Sequence, residues 1–172
     1  MIPIAAPPKP IGFADRVETP GERWLLEHPK AERPRDFWSP FKSILADGFK
    51  KLCGYSAMYE PVGTVDHFVS WDEDRSKAYD WHNYRFASAW INSSKQNLKS
   101  AQVLDPFVVK DGWFEVLLPS LELIASPDLP EEFRERANTM LTRLHLANDE
   151  RMMKQRENWL GMYQEGKLTL ED

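Results

Sequence analysis

Four polar residues near the middle of the chain have side chains that could together support phosphodiester hydrolysis with one hard cation. Asp66 and His67 are adjacent, 15 residues separate His67 from Asn83, and eight separate Asn83 from Asn92. Magnesium prefers oxygen ligands and often takes only one or two protein groups, so a carboxylate and an amide oxygen would suffice to hold it. We therefore expect Mg²⁺, or Mn²⁺ in its place, to be bound by Asp66 and Asn92.

His67 is the candidate general base of this group. Neutral imidazole accepts a proton from water near pH 7 when its pKa is ordinary. Asn83 is expected to orient the imidazole, through its side chain or through its loop backbone. An asparagine before a helix also commonly caps the helix or closes a loop, so this structural alternative stays open.

The acid and the imidazole are predicted to lie at the end of a short strand. Thr64 to Val69 is rich in strand-forming residues and follows a turn at Pro61 to Gly63. Adjacent residues of a strand point to opposite faces, so Asp66 and His67 need a twist or a bulge to serve one site. The strand belongs to a predicted hairpin.

A helix is predicted to carry the second amide. Phe86 and Trp90 fall at helical spacing in the stretch from Arg85 to Lys95, and Asn83 lies in the loop that precedes it. Asn92 is then well inside the helix. A hairpin packed on this helix predicts an α+β fold that gathers all four residues.

The flanking segments are predicted to be an arm and further helices. Five prolines among the first twenty residues favour an extended arm outside the core, followed by a short helix from Gly21 to Glu27. The other predicted elements are a helix that begins at Ser39-Pro40, a strand from Gly112 to Leu118, a helix that begins after Pro130, and a last helix capped by Asn148 or Asp149.

Composition limits the function classes. The 172 residues carry 22 basic and 27 acidic side chains, for a net charge of -5. This charge opposes sequence-independent adhesion to DNA, so a nucleic-acid role needs a local basic face or a partner. A single cysteine, Cys53, excludes an intramolecular disulfide framework and favours a reducing, cytoplasmic setting. No signal sequence and no membrane-spanning run is recognisable.

Three basic residues are candidates for contact with nucleic-acid phosphates. Arg85, Lys95 and Lys99 are expected to line one side of the predicted helix. Ordinary solvated surface is the alternative, and the sequence does not decide between the two.

The order and spacing of Asp66, His67, Asn83 and Asn92 resemble the HNH endonuclease superfamily, in the variant found in the HNH domains of RNA-guided CRISPR effectors. The resemblance implies a ββα-metal fold, a hairpin and a helix around one divalent cation. By this resemblance Asp66 and Asn92 are the metal ligands, His67 is the general base and Asn83 is the orienting residue.

The chain is also similar, over roughly residues 37 to 160, to the HNH nuclease subunit of Septu-type and retron-associated anti-phage systems. The segments that carry this similarity are Cys53-Gly54-Tyr55-Ser56, Val65-Asp66-His67-Phe68, Tyr79-Asp80-Trp81-His82-Asn83, Asn92-Ser93-Ser94-Lys95, Leu104-Asp105-Pro106-Phe107 and Arg143 to Asn148. Those relatives carry two Cys-x-x-Cys pairs that bind a structural zinc. Here the pairs are Cys53 with Ser56 and Ser88 with Ile91, so no structural zinc is expected.

The resemblance implies a metal-dependent endonuclease that cleaves DNA as the effector of a prokaryotic defence system, with an ATPase or another subunit of that system as partner. A catalytically inactive binding protein on the same scaffold is the alternative. The predicted organisation is a Pro-rich arm with a short helix over residues 1–36, an HNH-like domain with its C-terminal helices over 37–165, and a tail over 166–172.

Overall fold

The computed structural model describes residues 1–96 and 98–169. Within these residues, five α-helices and two antiparallel sheets of two strands each form a mixed α/β fold, which agrees with the predicted α+β class. The ββα-metal identity of its centre stays a prediction. The elements are α1 (Thr19–Glu27), α2 (Lys42–Gly48), β1 (Thr64–His67), β2 (Tyr84–Ala87), α3 (Ala89–Lys95), β3 (Phe114–Val116), β4 (Leu123–Ala125), α4 (Glu131–Arg143) and α5 (Glu150–Gln164).

β1 and β2 form the hairpin that carries the predicted acid and base. Asp66 lies opposite Arg85, and His67 lies opposite Tyr84. Ser88, in an extended conformation, separates β2 from α3, and α3 folds back to pack against β1. A hairpin and a helix are therefore adjacent in space as well as in sequence.

The prediction of a helix that begins at Arg85 is wrong for its first residues, because residues 84–87 form a strand and the helix begins at Ala89. All four residues of β2 are buried, and a strand that is buried on both faces lacks the alternating pattern by which strands are recognised. The ring of Phe86 lies over Gly63, where an added Cβ would stand 2.4 Å from the Cζ atom of Phe86. Tertiary packing thus overrides the helical spacing.

The expectation that the first twenty residues lie outside the core is also wrong. Phe13 and Val17 are completely buried beside the hairpin, and the Trp81 indole donates a hydrogen bond to the carbonyl of Pro7 at 2.9 Å. A π-helical turn, Ala14–Glu18, runs directly into α1, so the helix begins earlier than predicted. Prolines fix an extended chain, but they do not prevent its apolar side chains from packing.

The C-terminal helices agree with the sequence predictions. α4 begins after Pro130 with two glutamates in its first turn, where the helix dipole favours negative charge. α5 is capped by Asp149, whose carboxylate accepts a hydrogen bond from the Arg151 amide. The predicted strand from Gly112 is shorter than expected and forms β3, which pairs with β4.

None of the helices within the described residues combines the length and the apolar character needed to cross a bilayer.

Candidate functional site

A small cleft lies where the end of β1 meets α3. Its volume is about 140 Å³. We call it the Asp66 cleft, and its lining residues are Val65, Asp66, His67, Ser70, Trp71, Asn92, Lys95 and Gln96. Three of the four residues singled out in the sequence, Asp66, His67 and Asn92, therefore line one cavity.

Asp66 is buried, and both of its carboxylate oxygens are engaged. Oδ1 accepts a hydrogen bond from Lys95 Nζ at 3.0 Å, and Oδ2 accepts one from the Tyr55 hydroxyl at 2.5 Å. Burial, reinforced by the nearby Asp66 carboxylate, raises the pKa of Tyr55 well above its ordinary value, so the phenol stays a neutral donor. These two partners hold the carboxylate in one orientation.

Lys95 is an interior cation rather than a surface one. Only 3% of the residue is exposed, and its ammonium donates to Asp66 Oδ1 and to the carbonyls of His67 and Phe68 at 2.8 and 3.1 Å. An ammonium has three donors, and all three are used. Lys95 therefore ties α3 to the end of β1, and its ammonium is not free to bind a phosphate on the surface.

His67 is partly buried, with its orientation fixed by a backbone carbonyl. Nε2 lies 2.8 Å from the carbonyl oxygen of Ala78, which can only accept, so we assign the proton to Nε2. Nδ1 then keeps its lone pair and is the atom that can accept a proton. Burial lowers the pKa of His67, which favours the neutral imidazole that a general base requires. The rings of Trp38 and Tyr84 pack against it edge-on.

Asn83 holds the loop around His67 rather than the imidazole itself. Its Oδ1 accepts from the Val69 amide at 2.7 Å, and its Nδ2 donates to the carbonyls of Val69 and Lys77 at 2.9 and 3.0 Å. Lys77 precedes Ala78, the residue that bonds the imidazole. Asn83 thus acts on the backbone that positions His67, and the loop-closing alternative describes its direct contacts.

Asn92 lies in the middle of α3 and lines the Asp66 cleft on the side opposite β1. Its side chain is half-buried, and among the described residues no hydrogen-bond partner is recorded for its amide. The amide oxygen is consequently available to a ligand in the cleft.

Arg85, predicted as a phosphate contact, is buried in the interior. Its guanidinium makes a bidentate pair with the Asp105 carboxylate, with Nε–Oδ1 and Nη2–Oδ2 distances of 2.7 and 2.6 Å, and its Cζ stacks 3.7 Å from the Phe107 ring centroid. Lys99 is exposed and borders a neighbouring cleft that contains Asp72 and Glu73. Of the three predicted contacts, only Lys99 presents its charge to the surface.

Cys53 and Ser88, two of the four positions compared above with zinc-binding cysteines, are in contact. The Cys53 thiol accepts a hydrogen bond from the Ser88 amide at 3.4 Å and lies 3.9 Å from the Ser88 hydroxyl. Cys53 and Ile91 belong to one buried apolar cluster. Apolar packing therefore fills the region between the hairpin and α3.

The donor set of the Asp66 cleft fits a hard divalent cation. A carboxylate and an amide oxygen border a volume of about 140 Å³, which exceeds the roughly 30 Å³ that one water occupies in the liquid. Lys95 and Tyr55 each occupy one position on the carboxylate, whose two oxygens offer about four acceptor positions. Asp66 and Asn92 would hold the ion.

Sequence reasoning missed three contributors to this region. Tyr55 bonds to Asp66, Ala78 bonds to His67, and Asp105 bonds to Arg85. The spacing of these residues in the sequence does not predict the three pairs. Tyr55 and Asp105 do lie in segments that carry the resemblance. Trp71 also lines the cleft, and its indole Nε1 is the one buried side-chain donor of the described residues that lacks a partner.

In comparisons with known proteins, no family model matches the chain and no curated protein matches it either.

Proposed function

We propose that this protein is a divalent-metal-dependent endonuclease of the HNH type that hydrolyses phosphodiester bonds in DNA. The observation that carries the proposal is the convergence of Asp66, His67 and Asn92 on one cleft, at the junction of an antiparallel hairpin and the helix that follows it. They come from two parts of the sequence, β1 and α3. Their meeting in a polar cavity is what the chemistry needs.

The chain's own groups supply the proton transfer. His67 accepts a proton from a water molecule at Nδ1 as the water oxygen attacks phosphorus, and the bond from phosphorus to the leaving oxygen breaks. Ala78 keeps the imidazole in the correct tautomer by accepting from Nε2. A positioned general base contributes a factor of about 10² to 10⁴ in rate. When bound by Asp66 and Asn92, the cation would stabilise the negative charge that develops on the phosphate.

The resemblance to HNH nucleases is a second argument for the proposed nuclease function. The hairpin and α3 follow each other in the order that the resemblance implies. The contact between Cys53 and Ser88 lies where a zinc site of those relatives would join the same elements. Both features are independent of the residues that line the cleft.

A plasmid-nicking assay with Mg²⁺ or Mn²⁺ tests the proposal. We expect His67→Ala to reduce the rate by about 10² to 10⁴. His82→Ala is the matched control, because His82 is exposed and outside the cleft, and it should nick like the wild type. Equal activity of the wild type and His67→Ala would contradict the role of His67.

One observation favours the alternative of a catalytically inactive binding protein on this scaffold. Both oxygens of Asp66 already have protein partners, as they would in a site that had become purely structural. A wild-type protein that binds DNA but never nicks it, with either metal and with its partner present, would support this alternative.

The partner remains part of the proposal. The net charge of -5 opposes binding to DNA, and Arg85 and Lys95 are engaged in buried ion pairs, so neither supplies positive charge to the surface beside the cleft. Delivery of DNA by another subunit, such as an ATPase of a defence system, would compensate for this deficit. Nicking that appears only when a candidate partner is added would support it.

A further inference from the structure

The cation already present at the proposed metal ligand is Lys95. Its ammonium lies 3.0 Å from Asp66 Oδ1, and the side chains of both residues are at most 4% exposed. An ion pair that is shielded from water is screened far less than a surface pair. Any second cation that binds Asp66 therefore experiences the charge of Lys95 at close range.

The charge balance of the cleft follows directly. One carboxylate and one ammonium cancel, and Asn92 contributes an uncharged amide. Among its described lining residues, Asp66 and Lys95 are the only ones with a carboxylate, ammonium or guanidinium group. A divalent ion would enter an environment with no net negative charge, whereas the tighter oxygen-ligand sites owe their affinity to the number of charged ligands.

A phosphodiester would supply the missing negative charge. Each phosphate of DNA carries one negative charge, and magnesium is commonly held by one or two carboxylates together with substrate phosphates. Ser70 and Gln96 line both the Asp66 cleft and the neighbouring cleft of Asp72, Glu73 and Lys99, so the two cavities adjoin.

We propose that Lys95 makes the metal site weak in the free protein, so that the divalent cation and the phosphodiester bind cooperatively. This inference rests on the proposed function and concerns the regulation of that same site. Coupling between two ligands is reciprocal, so the cation must strengthen DNA binding by the factor by which DNA strengthens cation binding.

The first experiment measures Mn²⁺ binding to the DNA-free protein, by the electron paramagnetic resonance signal of free Mn²⁺. Lys95→Met, which keeps the length of the side chain and removes the positive charge that repels the metal, should bind Mn²⁺ about tenfold more tightly than the wild type. Lys110→Met is the matched control, since it removes the same charge from an exposed position that lines neither the cleft nor the cavity beside it, and should leave the affinity unchanged. Equal or weaker binding by a folded Lys95→Met would overturn the proposal.

The second experiment needs no change at Lys95. In the His67→Ala background, in which cleavage is slowed, fluorescence anisotropy measures the affinity for a labelled DNA duplex with and without Mn²⁺. We expect Mn²⁺ to tighten DNA binding about tenfold, within the usual range of coupling between two ligands. Identical affinities in the two conditions overturn the cooperative model even if Lys95→Met does not fold.

A third variant separates failure of this inference from failure of the proposed function. Asn92→Ala removes a proposed metal ligand that has no recorded partner among the described residues, so the fold should tolerate it. If Asn92→Ala binds Mn²⁺ like the wild type, the proposed metal site itself is wrong. If it loses Mn²⁺ while Lys95→Met binds no more tightly than the wild type, only the role of Lys95 is wrong.

Discussion

Two regions of the molecule bury charged side chains, and they neutralise them differently. Around the β1–β2 hairpin, buried charges are matched by opposite charges, Asp66 by Lys95 and Arg85 by Asp105. In the C-terminal region, Arg156 is a buried cation whose guanidinium donates to backbone carbonyls. These carbonyls belong to Leu121, Leu146 and Ala147.

The difference separates a region suited to chemistry from one that only holds the fold. Carbonyl groups cannot leave or change charge, so the hydrogen bonds of Arg156 tie α5 to the turn that precedes it and to the segment before β4. An ion pair at the edge of a cleft can exchange one partner for a ligand. The hairpin region is therefore where substitutions should alter both stability and ligand binding.

The largest expected effect comes from breaking the pair inside the cleft. Asp66→Asn leaves the Lys95 ammonium buried without an opposite charge and should lower the free energy of unfolding by about 3 to 5 kcal/mol. Urea unfolding followed by circular dichroism measures the change. Asp72→Asn, at an exposed position, is the control and should stay within about 0.5 kcal/mol.

A double variant sharpens this prediction. Asp66→Asn combined with Lys95→Met removes both charges and should recover a large part of the lost stability, because the penalty lies in the uncompensated cation. If the losses of unfolding free energy in the two single variants add up in the double variant, the two residues stabilise the fold independently. The pairing of their charges then contributes nothing to stability.

Arg156→Met should lower the free energy of unfolding nearly as much as Asp66→Asn does, and it should leave ligand binding in the cleft unchanged. The carbonyls of Leu121 and Leu146 lose their charged donor, whereas that of Ala147 keeps the Leu123 amide, so the cost is about 3 kcal/mol at roughly 1.5 kcal/mol for each unpaired carbonyl. In a chain of this size that corresponds to a melting temperature lower by about 6 to 12 °C. Arg143→Met, on the exposed side of α4, is the control. Unchanged melting would contradict a structural role for Arg156.

Asp105→Asn should have a smaller effect on the other ion pair. Asp105 is about one-fifth exposed, and Arg85 keeps its bonds to the carbonyls of His82 and Tyr84 as well as its stacking on Phe107. We expect the free energy of unfolding to fall by about 2 kcal/mol, within the range for a hydrogen bond to a charged group. Chemical unfolding measures it, with the exposed Asp111→Asn as control.

The smallest effect is a pH dependence. Burial lowers the pKa of His67 below its ordinary 6.5, so the unfolded chain takes up a proton before the folded protein does. The contribution of His67 to the free energy of unfolding is therefore fully present above pH 6.5. It decreases as the pH falls from 6.5 through the pKa of His67 in the folded protein. The nuclear magnetic resonance titration of the His67 ring in the metal-free protein should show a midpoint below 6.5, and a midpoint at or above 6.5 contradicts it.

His67→Ala provides the internal comparison for that titration. The carbonyl of Ala78 also accepts from the Tyr84 hydroxyl at 2.9 Å, so removing the imidazole leaves it paired. The variant should remain folded. As the pH falls below 6.5, its free energy of unfolding should decrease less than that of the wild type, because the contribution of His67 is absent. A profile identical to that of the wild type would show that other groups are responsible.

Local signals predicted the parts of this fold that depend on local physics. Pro130 and Asp149 mark the starts of α4 and α5 because an acidic first turn and a capping carboxylate act within a few residues. The strand that ends at His67 was also predicted, since β-branched residues follow a turn. These features need no knowledge of distant contacts.

The remaining features depend on contacts between distant residues. The helical spacing of Phe86 and Trp90 concealed a strand that forms only because it pairs with β1. The burial of Arg85 depends on Asp105, which lies 20 residues away, and that of Lys95 depends on Asp66, 29 residues away. A basic residue looks the same in the sequence whether it faces solvent or a buried carboxylate, so the predicted phosphate contacts could not be separated from interior ion pairs.

The packing of the N-terminal segment has a practical consequence for dissecting this protein into fragments. An expression fragment that starts at residue 37 would strip Phe13 from the aromatic rings of Trp81 and Tyr84. It would also remove Gly21, which lies so close to the Tyr79 ring that an added Cβ would stand 2.3 Å from it. Because Tyr79 adjoins Ala78, the residue that bonds the His67 imidazole, truncation would loosen the packing behind the Asp66 cleft. A shortened protein without activity would therefore say nothing about the role of the residues in the cleft.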